Sequence, residues 1–461
     1  MLELKTKKEL GQDAHTLAKS YHLVRYRGNT YIPADYETMD VSGAPPERTI
    51  WLPLDKDALR KMASNQFNTL FSNEAELSNF CFMVAQNSLA YDEKVSTLLV
   101  RTTEGLRELQ DDGELHEPTG SFVPNTLYPM LNDTEKDKQR VFEVISDWVD
   151  SDSEAHALLR HLATALAPGW SAVKYVLLLG EGRNGKSLLL KMVQAVFGRE
   201  NVSNVTRQQI SEQSPVVCEL NGKLVNIVFD GRSEYVKDSG LEKSLIAGET
   251  VSIRKLYEST PTPVATNALF IEGLNREPKS TDKSMALQKR LMRFQFPNVY
   301  PLDHKFEKVM LSEKMLGAFL SLLIEHYVHE DEVAEKLAPT TRAMELQLEH
   351  MFSNSLGLQY LKYLEENDPL GANGLIDITL TELTTGFQSW RVKENDLGGW
   401  NEPDVQALFQ PIINTNRVSK RVDGKPRKVR VVESLKPEAM AFIKSLEGDD
   451  TDAELEALVA E

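Results

Sequence analysis

The residues best suited to chemistry lie in one octapeptide and in one aspartate well downstream of it. Gly180-Glu181-Gly182-Arg183-Asn184-Gly185-Lys186-Ser187 fits the pattern G-x-x-x-x-G-K-[ST]. Glycines in such a loop let successive backbone N–H groups curl around phosphate oxygens, and a helix starting there adds the partial positive charge of its N-terminus. Lys186 would reach the β and γ phosphates of ATP, and Ser187 would hold Mg2+ through its hydroxyl. That metal needs an acid at the end of a neighbouring strand. Asp230 closes the apolar run Leu224–Phe229 and takes this metal-coordinating role, directly or through water. Glu234 is the second acid within reach and the candidate for polarising an attacking water. Residues of these types in this order point to triphosphate hydrolysis, with ATP and Mg2+ as cofactors.

Positioning them requires a strand before the loop and a helix after it. Tyr175–Leu179 is wholly apolar, and Leu188–Phe197 reads as a helix stopped by Gly198. From Tyr175 to Phe296 short apolar runs alternate with helical stretches, which predicts a parallel sheet covered by helices. Upstream, Leu158, Leu159, Leu162 and Leu166 recur at helical spacing until Ala167-Pro168-Gly169 ends the pattern. His22–Pro33 predicts two strands about the turn Arg27-Gly28-Asn29. Asp55 reads as the N-cap of a helix Lys56–Met62, so Asp55 and Asp57 are taken as a cap rather than as paired metal carboxylates.

Downstream, Leu316, Phe319, Leu320, Leu323 and Ile324 form one apolar stripe of a helix. His326 and His329, beside Glu330, Asp331 and Glu332, read as its solvated end rather than as metal ligands. Three more helices are predicted, Leu356–Glu366, Thr379–Trp390 and Pro403–Ile413. A hairpin Arg417–Arg430 about Asp423-Gly424 follows, with seven basic residues and one acid in 14 positions. Lys420, Arg421, Lys425, Arg427 and Lys428 are its candidate DNA-backbone contacts. Glu447–Glu461 holds seven acids and no base.

The chain has 461 residues, 41% hydrophobic and 26% charged, and a net charge of −17. Such a composition excludes disordered and low-complexity classes and predicts several domains. With the tail at −7 and the hairpin at +6 set aside, −16 remains, so acidity is spread over the body. That excludes a protein coating nucleic acid over its whole surface but permits a local basic channel. Cys81 and Cys218 have no CxxC spacing, which excludes a disulfide framework and fits a reducing compartment. With no apolar leader and no membrane-length apolar run, the expected location is the cytoplasm, a host cell's if the chain is phage-encoded.

Further motifs follow the loop in order. They are Asn221–Asp230, Glu242–Lys255 with its Ala247-Gly248-Glu249, Asn275-Arg276-Glu277-Pro278, and Lys289–Phe296. Together with GEGRNGKS they resemble the superfamily 3 helicases, in the branch of phage, plasmid and poxvirus-type primase-helicases. The resemblance covers Lys136 to Tyr327. Three details differ: Asp230 stands where the family usually has Glu, Lys289-Arg290 replaces an Arg pair, and one glycine rather than two precedes Glu249.

What the resemblance implies is an AAA+-like P-loop ATPase of α/β class, its parallel sheet flanked by helices. An N-terminal α+β region (1–135) and a helical segment (136–170) would precede the ATPase (171–337). A winged-helix-like domain (345–446) and the acidic tail (447–461) would follow. By the same resemblance Asn275 senses the γ-phosphate, Arg290 is an arginine finger acting on a neighbouring subunit, and Arg254 and Lys255 grip single-stranded DNA. The implied protein is a replicative DNA helicase, a homo-hexameric ring on single-stranded and forked DNA, with no primase centre of its own and a separate primase or polymerase as partner. Two other readings stay open: a replication initiator or origin-binding ATPase, and a helicase loader without unwinding activity.

Overall fold

A computed structural model describes residues 3–26, 29–33, 51–90, 97–119, 123, 125–231, 239–254, 261–277, 285–394, 401–410, 412–422, 425–437 and 439. Glu234, Lys255, the two predicted turns' Arg27-Gly28 and Asp423-Gly424, and the acidic tail lie outside them, and Arg421, Lys425 and Arg427 are described by strand register alone. The chain forms two compact units, one of residues 1–278 with 290–338 and one of residues 279–289 with 339–461.

The first unit opens with β1 (Glu3–Leu4), α1 (Lys7–Ser20), β2 (Val24–Tyr26), β3 (Asn29–Pro33), β4 (Trp51–Pro53), α2 (Lys56–Phe67), β5 (Thr69–Leu70), α3 (Glu74–Asn87) and β6 (Leu89–Ala90). Leu17, Leu59, Phe80 and Val84 join its three helices in one core. α2 begins at Lys56 because the Asp55 carboxylate accepts from the Ala58 N–H, so this acid is occupied as a cap. A second small sheet, in the order β10-β7-β8-β9, is built from β7 (Leu98–Thr102), β8 (Gly105–Leu109), β9 (Leu115–His116) and β10 (Thr126–Met130).

Helices α4 (Glu135–Val149) and α5 (Asp152–Ala163) lead into β11 (Tyr175–Leu179), α6 (Lys186–Phe197), β12 (Val202–Ser203), α7 (Arg207–Ser211), β13 (Val225–Val228) and α8 (Gly240–Ile246). Next come β14 (Val251–Ile253), β15 (Thr262–Val264), β16 (Leu269–Leu274), the short α9 (Met285–Gln288), which belongs to the second unit, and β17 (Leu291–Gln295). The expected parallel sheet is present, five strands in the order β12-β13-β16-β11-β17. Tyr175–Leu178 of the interior strand β11 are fully buried, as a run of consecutive apolar residues requires when helices cover both faces.

α10 (His304–Met310), α11 (Glu313–Glu325) and α12 (Val333–Lys336) complete this unit. α11 departs from the single predicted stripe, since Met315 through Leu323 are all buried. α4, α5, α6 and β10 approach it from different sides, so no face is left for water. His326 is not a solvated helix end either. Its Nδ1 donates to the Leu322 carbonyl at 2.8 Å, its Nε2 meets His156 Nδ1 at 2.8 Å, and burial pushes its pKa down.

The second unit contains α13 (Thr341–Asn354), α14 (Leu356–Asn367), α15 (Leu380–Lys393), α16 (Glu402–Phe409) and a two-stranded ribbon of β18 (Ile413–Val422) and β19 (Lys425–Leu435). Leu361, Phe387, Trp390, Phe409 and Val432 share its core. α16 ends at Phe409, earlier than the predicted Ile413, and the proline at position 411 of the sequence has no N–H to donate to a helix. Among the described residues no helix is long and apolar enough to cross a membrane.

α5 carries a buried titratable group. His161 donates from Nδ1 to the Ala157 carbonyl at 2.8 Å and sets its ring edge-on to Phe294 of β17. Complete burial pushes its pKa down to about 4. Since the unfolded chain protonates near pH 6.5 and the folded one only near 4, stability is full above pH 6.5 and falls as pH drops through that window. Thermal melts from pH 7.5 to 4 should show a loss of up to about 3 kcal/mol from this residue. His161→Leu should flatten that part of the profile.

Candidate functional site: the cleft at the glycine loop

β11 delivers the chain to Gly180, and α6 starts at Lys186, so the octapeptide spans a strand end and a helix start. Gly185 holds φ at +93° as the N-cap of α6, and a Cβ there would meet the Trp148 ring at 2.6 Å. The last turn of α4 thus presses directly on the loop. Asn184, almost fully buried, donates from Nδ2 to the Phe296 carbonyl at 3.1 Å and accepts at Oδ1 from Lys186 Nζ at 2.8 Å. Lys186 Nζ also donates to the Gly180 carbonyl at 2.5 Å. Burial pushes the lysine's pKa down to about 8, against the opposing pull of the Asp230 charge.

In a parallel sheet all C-terminal strand ends lie on one edge, where ligands of open α/β sheets bind. Asp230 follows β13 and Asn275 follows β16, the two strands next to β11 on that side. Gly231 holds the acid's strand end against β16. Its N–H donates to the Gly273 carbonyl at 2.9 Å, and a Cβ would lie 2.1 Å from Glu272 Oε1, so only glycine allows this approach.

Lys186, Ser187, Asp230 and Asn275 accordingly line one cleft of about 900 Å3. Its far walls are Val144, Asp147 and Trp148 of α4 and the segment Tyr300–Asp303. That segment is tied down at its start. The Tyr300 N–H donates to the Arg183 carbonyl at 2.8 Å, while Tyr300 Oη and Asn298 Nδ2 both donate to the Asp147 carbonyl at 2.9 Å. Burial, with the contact to Asp147, pushes the Tyr300 hydroxyl up to about 12. The arrangement offers a helix N-terminus and a cation for anionic oxygens. Ser187 and Asp230 supply the oxygen donors that a hard divalent cation such as Mg2+ requires.

Other expected residues fall elsewhere. Glu181 is exposed and lies 3.5 Å from Arg276, a solvent-screened contact. Arg290 sits at the N-terminal end of β17, where its carbonyl accepts from the Tyr175 N–H at 2.7 Å, on the sheet edge opposite the loop. Arg293, from the same basic segment, is fully buried and makes two hydrogen bonds to Glu277, at 2.7 and 2.9 Å. It braces the turn carrying Asn275. Arg254 is exposed at the end of β14, which pairs antiparallel with β15. Lys420 donates to the Asp377 carbonyl at 2.6 Å and is half-buried, while Lys428 is exposed.

Sequence reasoning missed Trp148, Tyr300 and a buried polar layer under the sheet. In that layer Arg207 pairs with Glu242 at 2.6 Å, and Tyr175 Oη lies 3.3 Å from Glu272. Burial raises the Glu272 pKa to about 7, against the charge of Arg207. A lone acid inside the apolar strand Leu269–Leu274 was the one signal that could have revealed it.

A family model described as a family of unknown function (DUF5906) matches residues 178–290. No curated protein matches the chain. Among solved structures, the A form of the apo NrS-1 C-terminal region is similar at a TM-score of 0.50, with 14% identity, covering 88% of this chain and 94% of that one. This shows a shared fold. A second apo structure of that region scores 0.45 at 14% identity, over 93% and 100% of the two chains. The JCV helicase scores 0.29 at 13% identity, over 52% and 67%. These two scores establish no likeness by themselves.

The Arg293–Glu277 pair makes a prediction independent of any activity. Glu277→Gln leaves a buried guanidinium without its carboxylate and should destabilise the first unit by about 3–5 kcal/mol, read as a lowered melting temperature. Replacing both partners, Arg293→Met with Glu277→Leu, should recover most of that loss.

Proposed function

We propose that the chain is an ATP-driven replicative DNA helicase acting on single-stranded DNA as a ring, by the family resemblance a homo-hexamer. The observation that carries this reading is the convergence of Lys186, Ser187, Asp230 and Asn275 on one cleft, with Arg290 at the opposite edge of the sheet. The loop N–H groups and Lys186 would hold the triphosphate, and Ser187 and Asp230 would hold Mg2+. When bound, that ion neutralises charge on the β and γ phosphate oxygens. Asn275 would donate its amide to the γ-phosphate or to the attacking water.

Arg290 is badly placed for its own loop, since the five-residue β11 separates them by about 13 Å at ~3.3 Å per residue. A neighbouring copy in a head-to-tail ring would receive it instead, and such heterologous contacts close into rings. Arg254 and Lys255, with the hairpin they belong to, would face the channel and grip the strand. Helices α14, α15 and α16 with the basic ribbon would serve as a winged-helix-like module on forked DNA. They also favour a second reading, an origin-binding initiator that binds duplex without unwinding it; a loader would instead show DNA-stimulated hydrolysis indifferent to Arg254 and Lys255. A separate primase or polymerase is the expected partner.

Lys186→Ala should abolish ATP hydrolysis with the melting temperature preserved, and retained turnover would sink the loop assignment. Arg290→Ala should also be inactive alone. Mixed with Lys186→Ala protein it should regain part of its turnover, because each variant supplies what the other lacks. No rescue in confirmed rings would remove the finger role. Strand separation on a forked substrate decides between helicase and initiator.

A further inference from the structure

The ribbon of the second unit is not uniformly basic, and its register separates two faces. β18 and β19 pair Arg417 with Arg430, Val418 with Val429, Ser419 with Lys428, and Lys420 with Arg427. Directly paired residues of an antiparallel ladder share a face, and alternate residues share it along each strand. Arg417, Ser419, Lys428 and Arg430 therefore form one row, and all four are exposed. Val418, Lys420 and Val429 form the other, and all three are half-buried.

The second face is already used by the domain, where Lys420 donates to the Asp377 carbonyl at 2.6 Å. Nearer the base, Asp377 N–H donates to the Val432 carbonyl at 2.8 Å and Val432 N–H to the Ile378 carbonyl at 3.0 Å, which ties the ribbon to the segment before α15. Val432, two residues from Arg430 on the first face, is buried in the domain core, but from the Arg417–Arg430 pair outward that face has no such engagement among the described residues. Among the described residues, Arg417, Lys428 and Arg430 form no ion pair with any carboxylate. Like charges set directly opposite one another, as Arg417 and Arg430 are, weaken a sheet. Among the described residues no carboxylate offsets that repulsion, whereas an external polyanion would.

We infer that the face of Arg417, Lys428 and Arg430 is a docking surface for the phosphodiester backbone of nucleic acid, and that Lys420 is a structural residue of the opposite face. The occupant follows from charge complementarity: three unneutralised cations in a row on an exposed ribbon, in a chain whose net charge is −17. Guanidinium groups suit phosphate because their fixed fork can hydrogen-bond two oxygens at once. Contacts of this kind carry no base information, so binding would be insensitive to sequence and strongly dependent on salt. The inference rests on the nucleic-acid reading of the second unit but not on unwinding.

The test titrates the full chain with fluorescein-labelled duplex and, separately, with single-stranded DNA of the same length, across a range of salt concentrations. Arg417→Gln/Lys428→Gln/Arg430→Gln should lower affinity at least about tenfold and reduce the slope of log K against log salt by about 2–3, near one per lost phosphate contact. The charge-keeping Arg417→Lys/Arg430→Lys should retain the slope, as should Lys420→Met. Whichever DNA shows the change is the strand form that this face takes. A triple variant with unchanged melting temperature and the wild-type slope on both DNAs overturns the proposal. So does DNA binding that appears only when the seven acids of Glu447–Glu461 are changed to amides, which would assign the face to the tail. Unwinding with an unaltered slope would leave the helicase reading standing and this surface refuted, whereas an altered slope without any unwinding would do the reverse.

Discussion

The cleft depends on the side-chain amide of Asn184. One end of that amide reaches the first carbonyl beyond β17, that of Phe296, and the other holds the ammonium of Lys186. Because Asn184 is buried, each unmade bond would carry the desolvation penalty of a polar group away from water. The loop is therefore fixed to the sheet by a contact that is costly to break. Trp148 then closes on Gly185, and Tyr300 secures the Arg183 carbonyl. The outcome is a loop whose backbone is set by three distant elements, which is the preorganisation an anion site needs.

Beneath the sheet a second set of interactions works by charge. Arg207 with Glu242 and Arg293 with Glu277 are ion pairs almost wholly removed from solvent, and Glu272 stands beside the first as a carboxyl that burial has made a weak acid. Such pairs add little net stability over apolar packing, but breaking one leaves an uncompensated charge inside. They act as position markers. One braces the turn bearing Asn275, and the other fixes α8, which leads into the hairpin bearing Arg254. The edge carrying the cleft and the face leading to that hairpin thus share one polar layer through Glu272, whose carboxylate lies against Gly231.

Local motifs were readable wherever neighbours in sequence are also partners in space. The strand–loop–helix at Tyr175–Phe197, the acid ending β13, the cap at Asp55 and the basic ribbon all depend on residues a few positions apart. The parallel sheet was readable too, since apolar runs alternating with helices have few other ways to be buried. α11 was misread as one-sided because a periodic stripe cannot report how many elements cover a helix. The resemblance singled out Arg290, but nothing in the spacing revealed that Arg293 is sealed inside, since alternation gives faces and not which face is covered.

By itself, then, the sequence determined which groups are on offer: a glycine loop ending in Lys186-Ser187, an acid after an apolar strand, a basic ribbon and an acidic body. Only the tertiary structure decided which groups meet. Asn184 and Phe296 are 112 residues apart and are joined because β17 lies beside β11 in the strand order. Trp148 reaches Gly185 because α4 packs next to the loop, and Lys420 is turned from a surface cation into an anchor by the carbonyl of Asp377. Spacing along a chain encodes hydrogen bonds and faces within one element. The order in which strands pair and helices pack is a property of the whole core, and no single segment carries it.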